Sequence, residues 1–499
     1  MKGNEIMVDT QKPNVLLIMA DQLTALALGC YGNPTVQTPA IDNLAQEGVT
    51  FENTYCNCPL CVPSRASMVS GRLAARLEIF DNGTELPASV PTFMHHLRHG
   101  GYEVVTSGKQ HFVGPDQLHG YERRLTTDIY PSSLGWTKNW SAPIPPALGM
   151  VGRLKQAGPV PWTRQLDYDE EVHFRALEQI RAFGAEARRE ERDRPWFLCA
   201  SYTHPHDPPL ITEEWWDLYQ GVEIDMPDPS PHPEPPLPAA DQQLVEYLGL
   251  DRIDLTEDDV RRSRRGYYAM TSYFDSRVKG LIEELERQGL RENTIVMVTS
   301  DHGDMVGEHS LWFKRSYYEW SARVPWVVSW PGHYPEGRRV SQVVSLVDFY
   351  PTLLEMLDLP HPPAEWIDSQ SAASLLTGDD PGWKDEAIID FTSAGARHPW
   401  RAVRRGQHKY VAVHKGEPLL FDLEEDPDEW TNLAGRPEVA EVEEELARRA
   451  TEGWDPEAIE EAEIAAQQRR LFIHEAMQQG EPRSWDYQPF FDASQQYAR

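Results

Sequence analysis

Two apolar runs constrain this chain more than any other feature. Val15-Leu16-Leu17-Ile18-Met19-Ala20 and Thr294-Ile295-Val296-Met297-Val298-Thr299 contain no charged residue. A strand with one face in water alternates apolar and polar residues; a strand covered on both faces does not. The runs therefore read as central strands of an α/β sheet, large and mostly parallel, flanked by helices. Asp21-Gln22 follows the first run and Ser300-Asp301-His302 the second. Open α/β sheets place their ligands at such strand ends.

Two further strands deliver polar residues in the same way. Tyr102–Ser107 leads into Gly108-Lys109-Gln110-His111, and Trp196–Tyr202 into Thr203-His204-Pro205-His206. Helices are expected after Thr38-Pro39, over Thr92–His99, over Tyr168–Arg188, and over Asp259–Gln288, which Gly289 closes. The stretch from Trp136 to Trp162 is rich in Trp, Pro and Gly and has no period, so it reads as a long substrate loop. Pro227–Pro238 is a proline-rich surface excursion. From Glu386 short strands take over, notably His408–His414 and Leu419–Leu423, and imply a smaller α+β subdomain with an antiparallel sheet. Asp455-Pro456 starts a final helix with a good cap. At 499 residues the chain exceeds one ordinary core. We divide it into a catalytic domain (12–384), an antiparallel-sheet subdomain (385–440), and a helix with an aromatic tail (441–499).

The stretch Cys61-Val62-Pro63-Ser64-Arg65-Ala66-Ser67-Met68-Val69-Ser70-Gly71-Arg72 reads as a loop entering a helix that Gly71 ends. Cys61 then sits at a helix N-terminus, where backbone N–H groups and the dipole favour negative charge. Arg65, one turn on, projects back towards it. This suits an ester of an oxyanion. Two other readings remain at this point. Cys61 is a small buried hydrophobe, or Cys56, Cys58 and Cys61 form part of a zinc knot. Cys30 and Cys199 stand alone and offer that knot no second ligand pair.

Charge narrows the partners. The formal net charge is −32, which argues against nucleic acid and against an anionic membrane surface. Five cysteines without regular spacing argue against a disulfide framework. No secretory signal and no membrane-spanning run is visible, so the expected compartment is the cytoplasm.

Asp21, Gln22 and Asp301 are hard oxygen donors that suit Ca²⁺ or Mg²⁺, and His302 would add a nitrogen, which admits Mn²⁺. Arg65, Lys109, His111, His206 and Lys314 form a basic set. Several cations around one anion stabilise charge that grows in a transition state.

Cys61-x-Pro63-Ser64-Arg65 followed by Ser70-Gly71-Arg72 resembles the signature of the formylglycine-dependent sulfatases of the alkaline phosphatase superfamily. The likeness extends from about Pro13 through Phe349-Tyr350-Pro351-Thr352-Leu353-Leu354 and Leu420-Phe421-Asp422-Leu423 to the C-terminus, and is nearest to choline-sulfatase-like members. The resemblance implies an alkaline-phosphatase-like fold and a sulfuric ester hydrolase. A partner enzyme would convert Cys61 to formylglycine, whose hydrate attacks sulfur. It implies one divalent ion, with Ca²⁺ expected and Mn²⁺ or Mg²⁺ as alternatives, held by Asp21, Gln22, Cys61, Asp301 and His302. Arg65 and Lys109 then act on the nucleophile and sulfate, His206 with Lys314 protonates the leaving alcohol, and His111 takes a proton from the nucleophile.

Many family members have Asp where this chain has Gln22 and Asn where it has His302, which leaves the metal open. Trp136 and Asp390 are candidates for binding the alcohol part, and His204 has a supporting role. The substrate is expected to be a small alkyl or aryl sulfate, with choline sulfate among the candidates. The resemblance also implies a homo-oligomer, a tetramer or dimer, in which Phe490, Phe491 or Asp492 reaches a neighbour's substrate entrance. Two other functions compete: a phosphonate monoester or phosphodiester hydrolase, and a non-catalytic metal or anion binder.

Overall fold

The computed structural model describes residues 12–143, 146–227, 236–379, 382–393, 395–481 and 484–487. Eight strands form the main sheet: β1 (Asn14–Ala20), β2 (Val49–Tyr55), β3 (Glu103–Gly108), β4 (Arg123–Arg124), β5 (Trp196–Ser201), β6 (Thr294–Ser300), β7 (Arg323–Ser329) and β8 (Arg338–Ser345). Their spatial order is β8-β2-β7-β6-β1-β5-β3-β4. Every pairing is parallel except those of β7, which runs against both neighbours. The sheet is thus mostly parallel, as the apolar runs require. Val15, Leu16, Leu17 and Ile18 of β1 are at most 1% exposed, and each such burial stabilises by about 1.5–3 kcal/mol.

The sequence reading passed over β7 and β8. Pro325 interrupts β7, and a proline normally demotes a strand. Here the ladder with β2 shifts register between Phe51 and Thr54, so Pro325 falls at the irregularity and its missing N–H breaks no pairing.

Helices cover both faces. They include α1 (Pro39–Gln46), α2 (Cys61–Ser70), α3 (Arg164–Arg188), and α4 (Glu257–Gln288); Thr163 and Thr256 cap the last two, so both begin a few residues earlier than the sequence reading placed them. Thr256 and Asp259 form a reciprocal cap at the start of α4, and Gly289 ends it with a φ of 71°. Among the described residues no helix is long and apolar enough to cross a membrane.

A second, antiparallel sheet consists of β9 (Glu386–Ser393), β10 (Ala396–Arg405), β11 (His408–Val413) and β12 (Leu419–Asp422), in that order. One face joins the main core through Ile389, Phe391 and Trp400. Its other face forms a small core of Ile388, Val403, Tyr410 and Leu420 with Leu446 and Ala450 of α5 (Ala440–Thr451). The last described helix, α6 (Pro456–Met477), begins with the Asp455 side chain accepting from Ala458 N–H. Beyond it, Trp485 packs against the main core, and Asp486 accepts from the backbone and hydroxyl of Ser132 at 2.8 and 2.7 Å. That part of the tail folds onto its own chain. Phe490, Phe491 and Asp492 lie outside the described residues.

Candidate active site

Strands β6, β1, β5 and β3 are adjacent and parallel, so their C-terminal ends form one edge. Ala20 pairs with Ser300, which makes Asp21 and Asp301 neighbours although 280 residues separate them in sequence. Gly108 pairs with Ser201. A Cβ on Gly108 would lie 1.9 Å from the Ser201 carbonyl oxygen, so only glycine permits this approach, and Lys109 follows at once. Gln22 and His111 both take left-handed backbone angles, with φ of 67° and 58°. Such angles cost about 1–3 kcal/mol in a residue with a side chain. Neighbouring groups hold them there. Tyr267 of α4 donates to Gln22 O at 2.7 Å, and Asp128 accepts from the N–H groups of Gln110 and His111 at 2.8 Å each.

Cys61 is the first residue of α2, a helix whose residues are all buried and which Gly71 closes with a φ of 67°. The Ser64 hydroxyl donates to the Asp301 carbonyl at 2.5 Å and pins the helix start to the end of β6. Cys61 Sγ lies 3.2 Å from His302 Nε2 and 3.8 Å from Asp21 Oδ1. Arg65 does project back: Nε donates to Asp301 Oδ2 at 2.8 Å and Nη1 to Lys109 O at 2.7 Å. Lys109 Nζ pairs with Asp21 and lies 4.6 Å from the centre of the Tyr130 ring.

Electrostatics separate the three clustered cysteines. Burial pushes the Cys56 and Cys58 thiols well above their ordinary range. Burial opposes ionisation of Cys61 too, but Lys109, Lys314 and His302 outweigh it and pull the thiol well below that range. Among the described residues Cys56 and Cys58 join no group able to hold a metal. The knot is absent there; what remains of the motif is one thiol in a cationic, helix-end environment.

Asp21, Cys61, Asp301 and His302 are buried and offer ligand atoms within 4.8 Å of one another. Two carboxylates and an imidazole around one point fit a divalent cation, because like charges packed this closely need a shared counter-charge. Gln22 is placed differently. Its carbonyl oxygen accepts from Lys314 Nζ at 2.5 Å and its amide donates to Asp304 at 2.5 Å. Gln22 would therefore share its oxygen between Lys314 and an ion.

His206 and Lys314 meet at 2.7 Å, Nε2 to Nζ. His206 Nδ1 donates to Asp207 O at 2.8 Å, which turns Nε2 towards Lys314. Burial and Lys314 oppose the charging of His206, and Asp207 with Asp21 outweighs them, so its pKa is raised. His111 is the opposite case. Burial lowers it, with Lys109 adding to the effect against a hydrogen bond to Cys61. It stacks on Tyr130 at 4.7 Å and meets Trp136 edge-on at 5.3 Å. A cleft of about 380 Å³ opens here, lined by Cys61, Tyr130, Trp136, His206 and Lys314 among others.

Two predicted residues do not join this group. His204 is fully buried, and its Nδ1 bonds Asp169 at 2.6 Å. Asp390 stands directly opposite Arg401 in the β9–β10 ladder, and Arg401 takes both its oxygens, at 2.5 and 3.1 Å. It is a cross-strand ion pair and not a free acid for a cation, which corrects the sequence reading. Arg401 faces a separate cavity of about 680 Å³ that contains none of the strand-end residues. The sequence reading also missed Asp304, three residues after Asp301, and Tyr130. A polar residue just past a strand end was the available signal for Asp304.

Known proteins share this chain's sequence pattern and fold. Residues 13–359 match the sulfatase family, 307–454 the N-sulphoglucosamine sulphohydrolase C-terminal family, and 461–499 the choline sulfatase C-terminal family. A choline-sulfatase of Rhizobium meliloti (strain 1021) is 38% identical, over 98% of this chain and 96% of its own. Arylsulfatase K of Bos taurus is 29% identical, over 86% of this chain and 79% of its own. Among solved structures, the phosphonate monoester hydrolase of Agrobacterium radiobacter superposes with a TM-score of 0.68 at 24% identity, covering 88% of this chain and 94% of that one. A protein solved with its substrate D-glucosamine-2-N,6-O-disulfate superposes with a TM-score of 0.70 at 20% identity, covering 89% and 99%. At these identities the two superpositions speak for the fold alone. The chain is a sulfate-ester hydrolase and belongs to the sulfatase family.

Proposed function

We propose that this sulfatase cleaves small alkyl or aryl sulfate monoesters through a formylglycine made from Cys61, with one divalent ion at Asp21, Asp301 and His302. The observation that carries this reading is the place of Cys61. It sits at a buried helix N-terminus, with acids on one side and Arg65, Lys109 and Lys314 around it. Formylglycine would supply a hydrated aldehyde as nucleophile, and the ion would lower the cost of negative charge on it. Ca²⁺ is the proposed ion, because carboxylate oxygens dominate the donor set.

The chain's own residues do the rest. Lys109 and Lys314 hold the sulfate oxygens, and Arg65 fixes Asp301 and adds charge complementarity. His206 Nε2, supplied by Lys314, gives a proton to the alcohol oxygen as the S–O bond breaks. His111, kept neutral by burial, would take the proton of the second hydroxyl as the C–O bond to sulfate breaks and the aldehyde reforms. Trp136 and Tyr130 form the aromatic wall against which the alcohol part lies.

Maturation by a formylglycine-generating enzyme and a cytoplasmic site of action belong to the same proposal; all five cysteines are unpaired, in keeping with a reducing compartment. So does a homo-oligomer built with the tail, whose residues 461–499 match the choline sulfatase C-terminal family. Mass spectrometry across Cys61, with sulfate release before and after thorough chelation, tests the core of it. An aldehyde at position 61 and activity that Ca²⁺ or Mn²⁺ restores are expected. Full turnover with an unmodified thiol, or in metal-free protein, would overturn it. Phosphonate monoesters hydrolysed faster than sulfate esters would favour the competing chemistry. Removal of residues 485–499 should lower the mass in solution if the tail joins subunits.

A further inference from the structure

Lys314 is followed by a second cation that the reaction does not use. Arg315 holds a left-handed backbone, with a φ of 84°, and its N–H donates to Pro59 O at 3.2 Å. Its side chain lines the cleft beside Cys61 and the residue is only 9% exposed. Yet Nε and Nη1 are buried with no hydrogen-bond partner among the described residues. Other arginines near the site have carboxylate partners: Arg65 bonds Asp301, and Arg153 bonds Asp207 at 2.7 Å. A desolvated guanidinium without an anion is costly, and proteins rarely keep one unless a ligand completes it.

The surroundings of Arg315 share its sign. Its guanidinium carbon lies 5.6 Å from the centre of the Tyr247 ring, and Lys138 Nζ lies 6.0 Å from the same centre. Both Lys138 and Tyr247 line the cleft. Among the described residues the one carboxylate lining it, Asp81, is already committed. Its Oδ1 accepts from Gly83 N at 2.9 Å and from the Thr84 hydroxyl at 2.8 Å, and its Oδ2 from Arg470 at 3.0 Å.

We infer that the alcohol part of the substrate carries a second anionic group, a carboxylate or other oxyanion, which Arg315 binds with help from Lys138. This rests on Cys61 marking the sulfate end of the cleft. A guanidinium with unpaired N–H donors suits an oxyanion. A quaternary ammonium would meet two like charges there, with no free carboxylate among the described residues lining the cleft to offset them. Arg315 is thus a specificity-determining residue, selecting among sulfate esters by the charge of the alcohol.

Three esters of matched size test this: the sulfate of a short hydroxy acid, choline sulfate, and the neutral alkyl sulfate in which carbon replaces the choline nitrogen. The wild-type enzyme should rank them in kcat/KM as hydroxy-acid sulfate, neutral ester, choline sulfate. Arg315→Met should cost the hydroxy-acid sulfate roughly 10–100-fold more than the neutral ester, mainly in KM. Arg315→Lys should recover part of that difference, which a merely structural role would not produce. Choline sulfate ranked first by the wild-type enzyme, or equal losses on all three esters in Arg315→Met, would overturn the inference. Calorimetric binding of the same esters to Cys61→Ser protein separates the two readings. Arg315-dependent binding of the hydroxy-acid sulfate supports the anion subsite even if turnover by Cys61 fails. Binding that ignores Arg315 overturns the subsite whatever the chemistry.

Discussion

Two clusters of buried charge lie in this molecule, and they differ in what is left over. The cluster between the main sheet and the antiparallel sheet is closed. Lys409 of β11 donates to Tyr317 O at 2.9 Å and to Glu319 at 2.8 Å, and pairs with Glu429 at 2.6 Å. The second Glu319 oxygen accepts from Tyr55 of β2 at 3.0 Å, and Arg404 of β10 donates to that same hydroxyl at 3.0 Å. The cluster at the strand ends is built from the same residue types but stays open. His111 Nδ1 and Arg65 Nη2 have no partner among the described residues, two of its residues hold strained backbones, and a cleft reaches Cys61. Buried charge serves architecture when each charged side chain is matched by a neighbour and no cleft reaches it. It serves chemistry when some valences are kept for a substrate.

Substitutions can break this comparison. The largest effect is expected at Cys61. Cys61→Ala should lower kcat by roughly 10⁴-fold or more, with an unchanged circular dichroism spectrum and melting temperature. Near-wild-type turnover would remove the open cluster's claim to the chemistry.

The next test sets one lysine against another. Lys409→Met breaks a closed, buried ion group and should cost about 3–5 kcal/mol of stability in denaturant titrations. Turnover per folded molecule should change little. Lys314→Ala should do the reverse, lowering kcat by about 10²–10³-fold while the melting temperature moves by only a few degrees. If Lys314 proved the more stabilising of the two, the distinction between closed and open clusters would fail.

The smallest effect is one of pH. Burial pushes Glu429 up to about 7, against the pull of Lys409 and with help from Glu319. Burial opposes ionisation of Glu319 as well, but Lys409 and Arg323 outweigh it and hold Glu319 down near 2. The folded protein therefore binds the Glu429 proton more tightly than the unfolded chain does. This contribution to stability is complete below the ordinary glutamate value of 4.5 and is lost as pH rises through about 7. Glu429→Gln keeps the neutral form at every pH. Its melting temperature should fall less than that of the wild type between about pH 5 and about pH 8. Parallel curves for the two proteins would show that Glu429 is not the titrating group.

Much of the site could be read before folding is considered. Short-range signals carried that part: apolar runs for β1 and β6, polar residues just past strand ends, and Pro63 and Gly71 bracketing α2 around Cys61. These depend on backbone physics within a few residues, which a sequence displays directly. What it does not display is who meets whom. The neighbourhood of Asp21 and Asp301 follows from β1 lying beside β6, and Lys109 reaches Asp21 across β5. The free acid expected at Asp390 became half of an ion pair, because the hairpin register sets it opposite Arg401. Arg315 is the converse: one cation among many by sequence, it is buried once the cleft forms, and its Nε and Nη1 have no hydrogen-bond partner among the described residues. Local patterning thus chose the residues and placed them at strand and helix ends. Sheet order and register, set by packing across hundreds of residues, decided which charges cancel and which remain for a ligand.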